Sequence, residues 1–119
     1  MNYVQVTYIG FVVLTIVVGQ ILFKMSASGV VLDQGIIQML SSLLNWRFVS
    51  ATVIYALGTV VWVVLLKSVP LSRAYPFIAV SFAVMPLIAY VLFDENINVQ
   101  YLLGLLMFLA GLLIIASAE

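Results

Sequence analysis

The chain has 119 residues, 66% of them hydrophobic and 7% charged, with four Lys/Arg balanced by four Asp/Glu. A soluble domain carries roughly 45–50% apolar and about 25% charged residues, so this composition excludes a soluble enzyme, a nucleic-acid binder and a disordered tail. Cys and His are absent, which removes disulfides, thiol nucleophiles, the usual zinc ligands and imidazole acid–base chemistry.

A helix crossing ~30 Å of hydrocarbon needs ~20 mostly apolar residues. The charges divide the chain into four such pieces, at 4–23, 48–66, 74–93 and 99–118, none of which contains a charge. Spans must be helices, because open strands leave backbone groups unpaired in lipid, and apolar runs this long do not alternate as barrel strands do. The expected fold is therefore an all-α membrane protein, one domain over 1–119 with four transmembrane helices. The first span has no basic leader and no small-residue cleavage site before Lys24, so it is expected to persist in the mature protein.

The first connection runs from Lys24 to Arg47. Ile36, Ile37, Leu40, Leu43 and Leu44 recur in it at helical spacing, with Gln34, Gln38, Ser41 and Ser42 on the other side. This pattern predicts a short interfacial helix at about 34–45, with Trp46 and Arg47 anchoring the start of the second span. The second connection (67–73) and the third (94–98) are short, so spans two, three and four are expected to be antiparallel neighbours. Asp94 or Asn98 is positioned to cap the fourth helix. Pro76 falls in the first turn of the third span, where a missing N–H is harmless. Pro86 is mid-span and is expected to kink that helix.

With four spans, Lys67 and Arg73 fall on one side of the membrane and Lys24 and Arg47 on the other, a balanced count that gives almost no orientation signal. Either the chain inserts both ways as an antiparallel pair, or Lys24 serves a ligand and both termini face the cytoplasm. Four helices are few to wall a pathway, and many transporters build one from two related repeats. A dimer is thus expected, homomeric or with a related four-helix subunit. Gly104 and Gly111 share a face of the fourth span and are candidates for its interface, since small residues let helices approach closely in lipid. Packing of these glycines within the monomer is the alternative.

The segments Gly19-Gln20-Ile21-Leu22-Phe23-Lys24, Arg73-Ala74-Tyr75-Pro76-Phe77 and Gly104 to Gly111-Leu112-Leu113-Ile114-Ile115 resemble the first, third and fourth helices of the small multidrug resistance family, within the drug/metabolite transporter superfamily. Proton-coupled exporters of that family carry a glutamate in the first helix. The matching position here is Ile16, and no carboxylate lies inside any span. Tyr75 matches the family's aromatic clamp, whereas Ile78 replaces its tryptophan. The combination of Gly19-Gln20 with Lys24, and of Val69-Pro70 with Ala74-Tyr75-Pro76, is closer to the ArnE/ArnF-type branch, which also lacks the glutamate. That resemblance implies a bacterial inner-membrane flippase or flippase subunit for an undecaprenyl-phosphate-linked amino sugar, part of lipopolysaccharide modification.

Such a lipid keeps its tail in the bilayer, but its phosphate and sugar cross a low-dielectric slab at high cost unless paired. No covalent chemistry, cofactor or metal is called for, and no enzyme is expected. Lys24 is the first phosphate candidate, against snorkelling to the interface. Arg73, at a helix start, is the second, against a purely topological role. Arg47 is the third, against an interfacial anchor. Gln20 can hold a sugar or a partner helix, and Tyr75 can stack on a sugar or sit in the aromatic belt. The competing readings are an exporter of small cations or metabolites and a non-transporting subunit of a membrane complex.

Overall fold

A computed structural model of the chain describes residues 2–118. Glu119, which the sequence sets beyond the fourth span, lies outside the described residues. The described residues are helical throughout their regular structure: α1 (Tyr3–Ala27), α2 (Ile36–Leu43), α3 (Trp46–Leu66), α4 (Leu71–Ile78), α5 (Ser81–Phe93) and α6 (Val99–Ser117). Four stretches are long and apolar enough to cross a membrane: α1, α3, α4 with α5, and α6. These helices and the resemblance above describe a multi-pass membrane protein.

Asparagine starts three of these stretches. Asn2 Oδ1 accepts from the Gln5 N–H while Gln5 Oε1 accepts from the Asn2 N–H, a reciprocal capping box. Asn45 Oδ1 accepts from the N–H groups of Arg47 and Phe48, both at 3.0 Å. Asn98 Oδ1 accepts from the Tyr101 N–H at 2.8 Å, which settles the cap of α6 on Asn98 rather than Asp94. Asp94 instead ends α5 in the left-handed conformation, φ 56° and ψ 31°, a position that a short polar side chain tolerates.

The tightest packing joins α1 and α3, which run antiparallel. Ile9, Val12, Thr15 and Gly19 are buried along one face of α1, and Ala51, Gly58 and Leu65 along one face of α3. The ring of Tyr55 fills the space over Gly19, and Thr15 fills the space over Gly58. Glycine at these two positions lets the backbones close to a distance that any Cβ would block. Phe23 packs against Phe48 and Tyr55 at centroid distances of 5.8 and 5.3 Å. Polar clasps hold both ends of the pair. Asn45 Nδ2 donates to Ser26 Oγ at one end, and Gln5 Nε2 donates to Ser68 Oγ at the other. At the second end Ile9, Leu65, Val69 and Ala74 form a buried cluster that also seats the start of α4.

The third spanning stretch differs from its expected form in two ways. Its helix begins at Leu71 with Pro70 at the cap, so Pro76 lies inside α4 rather than in its first turn. The helix is also interrupted, at Ala79–Val80, with Pro86 lying within α5. Around the break the N–H groups of Val80, Phe82 and Ala83 bond three residues back, to Phe77, Ala79 and Val80, the tighter spacing of a 3₁₀ turn. The Ser81 hydroxyl donates to the Ile78 carbonyl at 2.8 Å, a local bond that competes with the helical pattern.

α6 is held far more loosely than α1. None of its residues is buried, and its clearest tertiary contact is the edge-on pairing of Phe108 with Phe82 at 5.8 Å. In the first connection α2 leaves Ile36, Ile37 and Leu40 exposed. It starts after Gly35, whose φ of 94° suits glycine. The Ser42 hydroxyl accepts from the Val31 N–H at 3.0 Å and ties the preceding loop down onto it.

Candidate functional site

α1 continues one turn past the apolar run, so Lys24 sits in its last turn. A cation is favoured there by the negative end of the helix dipole. Gln20 lies one turn earlier on the same face. Both line a cavity of about 320 Å³ whose other walls include Pro86, Phe93, Glu95 and Tyr101. Across it the Lys24 Nζ stands 3.9 Å from Glu95 Oε2, with side chains 58% and 49% exposed. That separation is longer than a direct hydrogen bond, and an exposed pair of this kind contributes little to stability.

The Gln20 amide donates to the Tyr55 hydroxyl at 2.6 Å. Tyr55 in turn helps line a second, smaller space of about 190 Å³, together with Thr15, Ile16, Trp62, Tyr75 and Ile78. Ile16, the position matched above to the exporters' glutamate, thus borders this partly open space and brings no charge into it. Tyr75 is 62% exposed and meets Trp62 edge-on at 6.3 Å.

The two other candidate cations lie outside the Lys24 cavity. Arg47 is in the first turn of α3, at the Lys24 end of the bundle, with its guanidinium 5.5 Å from the Trp46 ring centroid. Its Nε is buried and has no hydrogen-bond partner. Arg73 is in the first turn of α4, at the opposite end. It borders a hollow of about 680 Å³ shared with Ser72 and the last turn of α6. The five sequence candidates therefore form no single cluster. Gln20 and Lys24 share a cavity, Arg47 stands at the same end, Tyr75 lies between, and Arg73 is at the far end.

Two residues at the site escaped the sequence reading. Tyr55 carried a usable signal: it sits midway along α3, too far from either end to belong to an aromatic belt. Glu95 lies in the turn between α5 and α6, and its approach to Lys24 arises from tertiary folding.

Gly104 and Gly111 have no atom within 4 Å of the place a Cβ would occupy. Among the described residues there is no group of three or more metal-ligating side chains.

No family profile matches the chain, and no solved structure matches it. Its curated relatives are consistent in kind. It is 34% identical over 66 residues to a protein of Pseudomonas fluorescens (strain Pf0-1) named a probable 4-amino-4-deoxy-L-arabinose-phosphoundecaprenol flippase subunit ArnE, covering 54% of this chain and 58% of the relative. It is 40% identical over 55 residues to the protein of the same name from Pseudomonas paraeruginosa, covering 46% and 48%. The match to the Photorhabdus laumondii protein of that name is longer, 27% over 79 residues, covering 66% and 69%. The chain spans about half the length of the first two relatives it matches.

Proposed function

Starting from this similarity to ArnE flippase subunits, we propose that the chain is a multi-pass subunit of a flippase in the bacterial cytoplasmic (inner) membrane. It carries a polyprenyl-phosphate-linked sugar between leaflets and performs no covalent step. The observation that carries the reading is the Lys24 ammonium at a cavity that also holds Gln20, in a chain similar to subunits named for a phosphoundecaprenol flippase. The tail remains in lipid, Lys24 neutralises the phosphate as a point charge, and Gln20 offers both a donor and an acceptor to sugar hydroxyls. Arg47 adds a second cation at the same end, while Tyr75 gives the sugar a face to stack on partway across. Arg73 at the opposite end of the bundle suits release into the other leaflet. A cation at each end of the bundle gives the phosphate a partner on entry and on exit, where an unpaired charge is costly.

In the same reading the fold is SMR-like, and α2 lies in the interface with Ile36, Ile37 and Leu40 toward the acyl chains. The functional unit is a dimer, with itself or with a related four-helix subunit. The open space at Gly104 and Gly111 supports a seam on α6.

The test is native mass spectrometry of purified protein with undecaprenyl phosphate, comparing wild type with Lys24→Ala. Retained lipid that the variant loses is the expected result. Equal retention by both, or no retention by either, overturns the reading.

A further inference from the structure

We propose that Glu95 is the specificity-determining residue that reads a positively charged amine on the sugar, so that Lys24 and Glu95 together form a site for a zwitterionic headgroup. The inference rests on the reading of Lys24 as the phosphate site and extends it to the opposite charge of the pair.

The two side chains face each other across the mouth of one cavity, Nζ to Oε2 3.9 Å. At that distance, and about half exposed, neither group is committed to the other by a direct hydrogen bond. A ligand can therefore part them at small cost. What replaces their mutual contact decides which ligand is favoured. A simple anion satisfies Lys24 and leaves Glu95 facing a like charge. A simple cation does the reverse. A headgroup bearing both a phosphate and an ammonium satisfies both and leaves the site neutral, which matters where the surroundings are poorly polarisable.

The rest of the cavity suits the part of the ligand between those charges. Tyr101 and Phe93 supply aromatic faces, and Gln20 supplies polar contact one helical turn before Lys24 on the same face. About 320 Å³ lies at the small end of the range of ligand pockets, the scale of a single sugar with its phosphate rather than of a polyprenyl tail. Glu95 is held in place from its own side. Asp94 closes α5 in the left-handed conformation, the Glu95 N–H bonds to the Ala89 carbonyl at 3.2 Å, and Asn98 starts α6 three residues on.

The experiment measures binding of three lipids to the full chain by native mass spectrometry: undecaprenyl phosphate, its 4-amino-4-deoxyarabinose derivative, and that derivative with the amine acetylated. Wild type is expected to prefer the free-amine lipid over the acetylated one by at least about tenfold, the size of a charge-assisted hydrogen bond. Glu95→Gln is expected to abolish that preference while holding undecaprenyl phosphate as well as wild type or better, since the carboxylate no longer competes for Lys24. Retention of the preference in Glu95→Gln overturns the proposal, as does a wild type indifferent to acetylation. Loss of undecaprenyl phosphate along with the preference also overturns it, because it marks a structural role for Glu95. Lys24→Ala distinguishes the two levels. If that variant binds all three lipids as wild type does, the phosphate reading fails. If it loses them while Glu95→Gln keeps its discrimination, only the amine reading fails.

Discussion

The pair α1 and α3 and the helix α6 use the same residue, glycine, in opposite ways. Gly19 and Gly58 are filled from across the seam, by Tyr55 and Thr15, whereas Gly104 and Gly111 face open space. The first arrangement is a finished interface within one chain. Its buried face runs from Ile9 to Gly19 and from Ala51 to Leu65, and polar bonds clasp both ends. The second is a helix with no buried residue, approached by α4 along one side and touched by Phe82 of α5. Small residues in lipid promote close approach only where a partner surface is present. The contrast therefore separates a half with a filled seam, which carries Gln20 and Lys24, from a half whose small residues are left open.

The sharpest way to break the contrast is one substitution made at both kinds of glycine. Gly58→Leu forces a branched side chain into the β-branched Thr15, which has little freedom to move. Overpacking of this kind costs about 1–3 kcal/mol or more, read as a lowered thermal midpoint of the detergent-solubilised protein. The Gly111→Leu change meets nothing within 4 Å and is expected to hold monomer stability within about 0.5 kcal/mol. Its effect belongs to assembly: chemical cross-linking in membranes is expected to lose the dimer in Gly104→Leu/Gly111→Leu. Full cross-linking in that double variant moves the seam off α6, and a stable Gly58→Leu removes the distinction between the halves.

These positions also mark what a single sequence makes legible. The four spans are visible because charge in hydrocarbon is expensive, so every Lys, Arg, Asp and Glu falls outside the four apolar runs, in the connections, in the end turns of helices or after the last run. The cap of α6 is narrowed by the sequence to Asp94 or Asn98, and the bond from the Tyr101 N–H decides for Asn98. The face shared by Gly104 and Gly111 is visible as a spacing, but spacing does not say whether a glycine is filled or open. Gly58 carried no signal at all, since its meaning depends on Thr15 more than forty residues away. The break in the third spanning stretch follows the same rule. No proline marks the interruption at Ala79–Val80, which lies beside a serine whose hydroxyl bonds back to Ile78. At the site, Gln20 and Lys24 were legible because polar groups at the end of an apolar helix stand out. Glu95 was not, because the turn that brings it to Lys24 is fixed by α5 and α6 together.

A smaller effect sharpens the comparison on the loose side. Asn98→Ala removes the side-chain acceptor of the Tyr101 N–H, and loss of such a cap costs about 1 kcal/mol. Because α6 has so few contacts to resist fraying, hydrogen exchange is expected to rise in its first turn and to stay unchanged in α1 and α3. Faster exchange spreading into α1 would mean that the two halves are energetically one.

The smallest expected effect lies in the half with the filled seam, at the bond from the Gln20 amide to the Tyr55 hydroxyl. Interhelical hydrogen bonds in membranes are worth about 0.6 kcal/mol on average, so Tyr55→Phe alone is expected to leave the fold intact: the ring that fills the space over Gly19 and packs on Phe23 remains. A cycle of Tyr55→Phe, Gln20→Leu and the double variant isolates the bond from that packing. Coupling of about 0.6 kcal/mol in stability makes the bond an ordinary contributor to the seam. The same cycle read on lipid binding asks a different question. If Gln20 touches the sugar while Tyr55 only orients it, Gln20→Leu weakens binding of the sugar-bearing lipid more than Tyr55→Phe does, and neither alters binding of undecaprenyl phosphate. Equal losses on both lipids would return Gln20 to the α1–α3 seam and leave Lys24 alone to define the site.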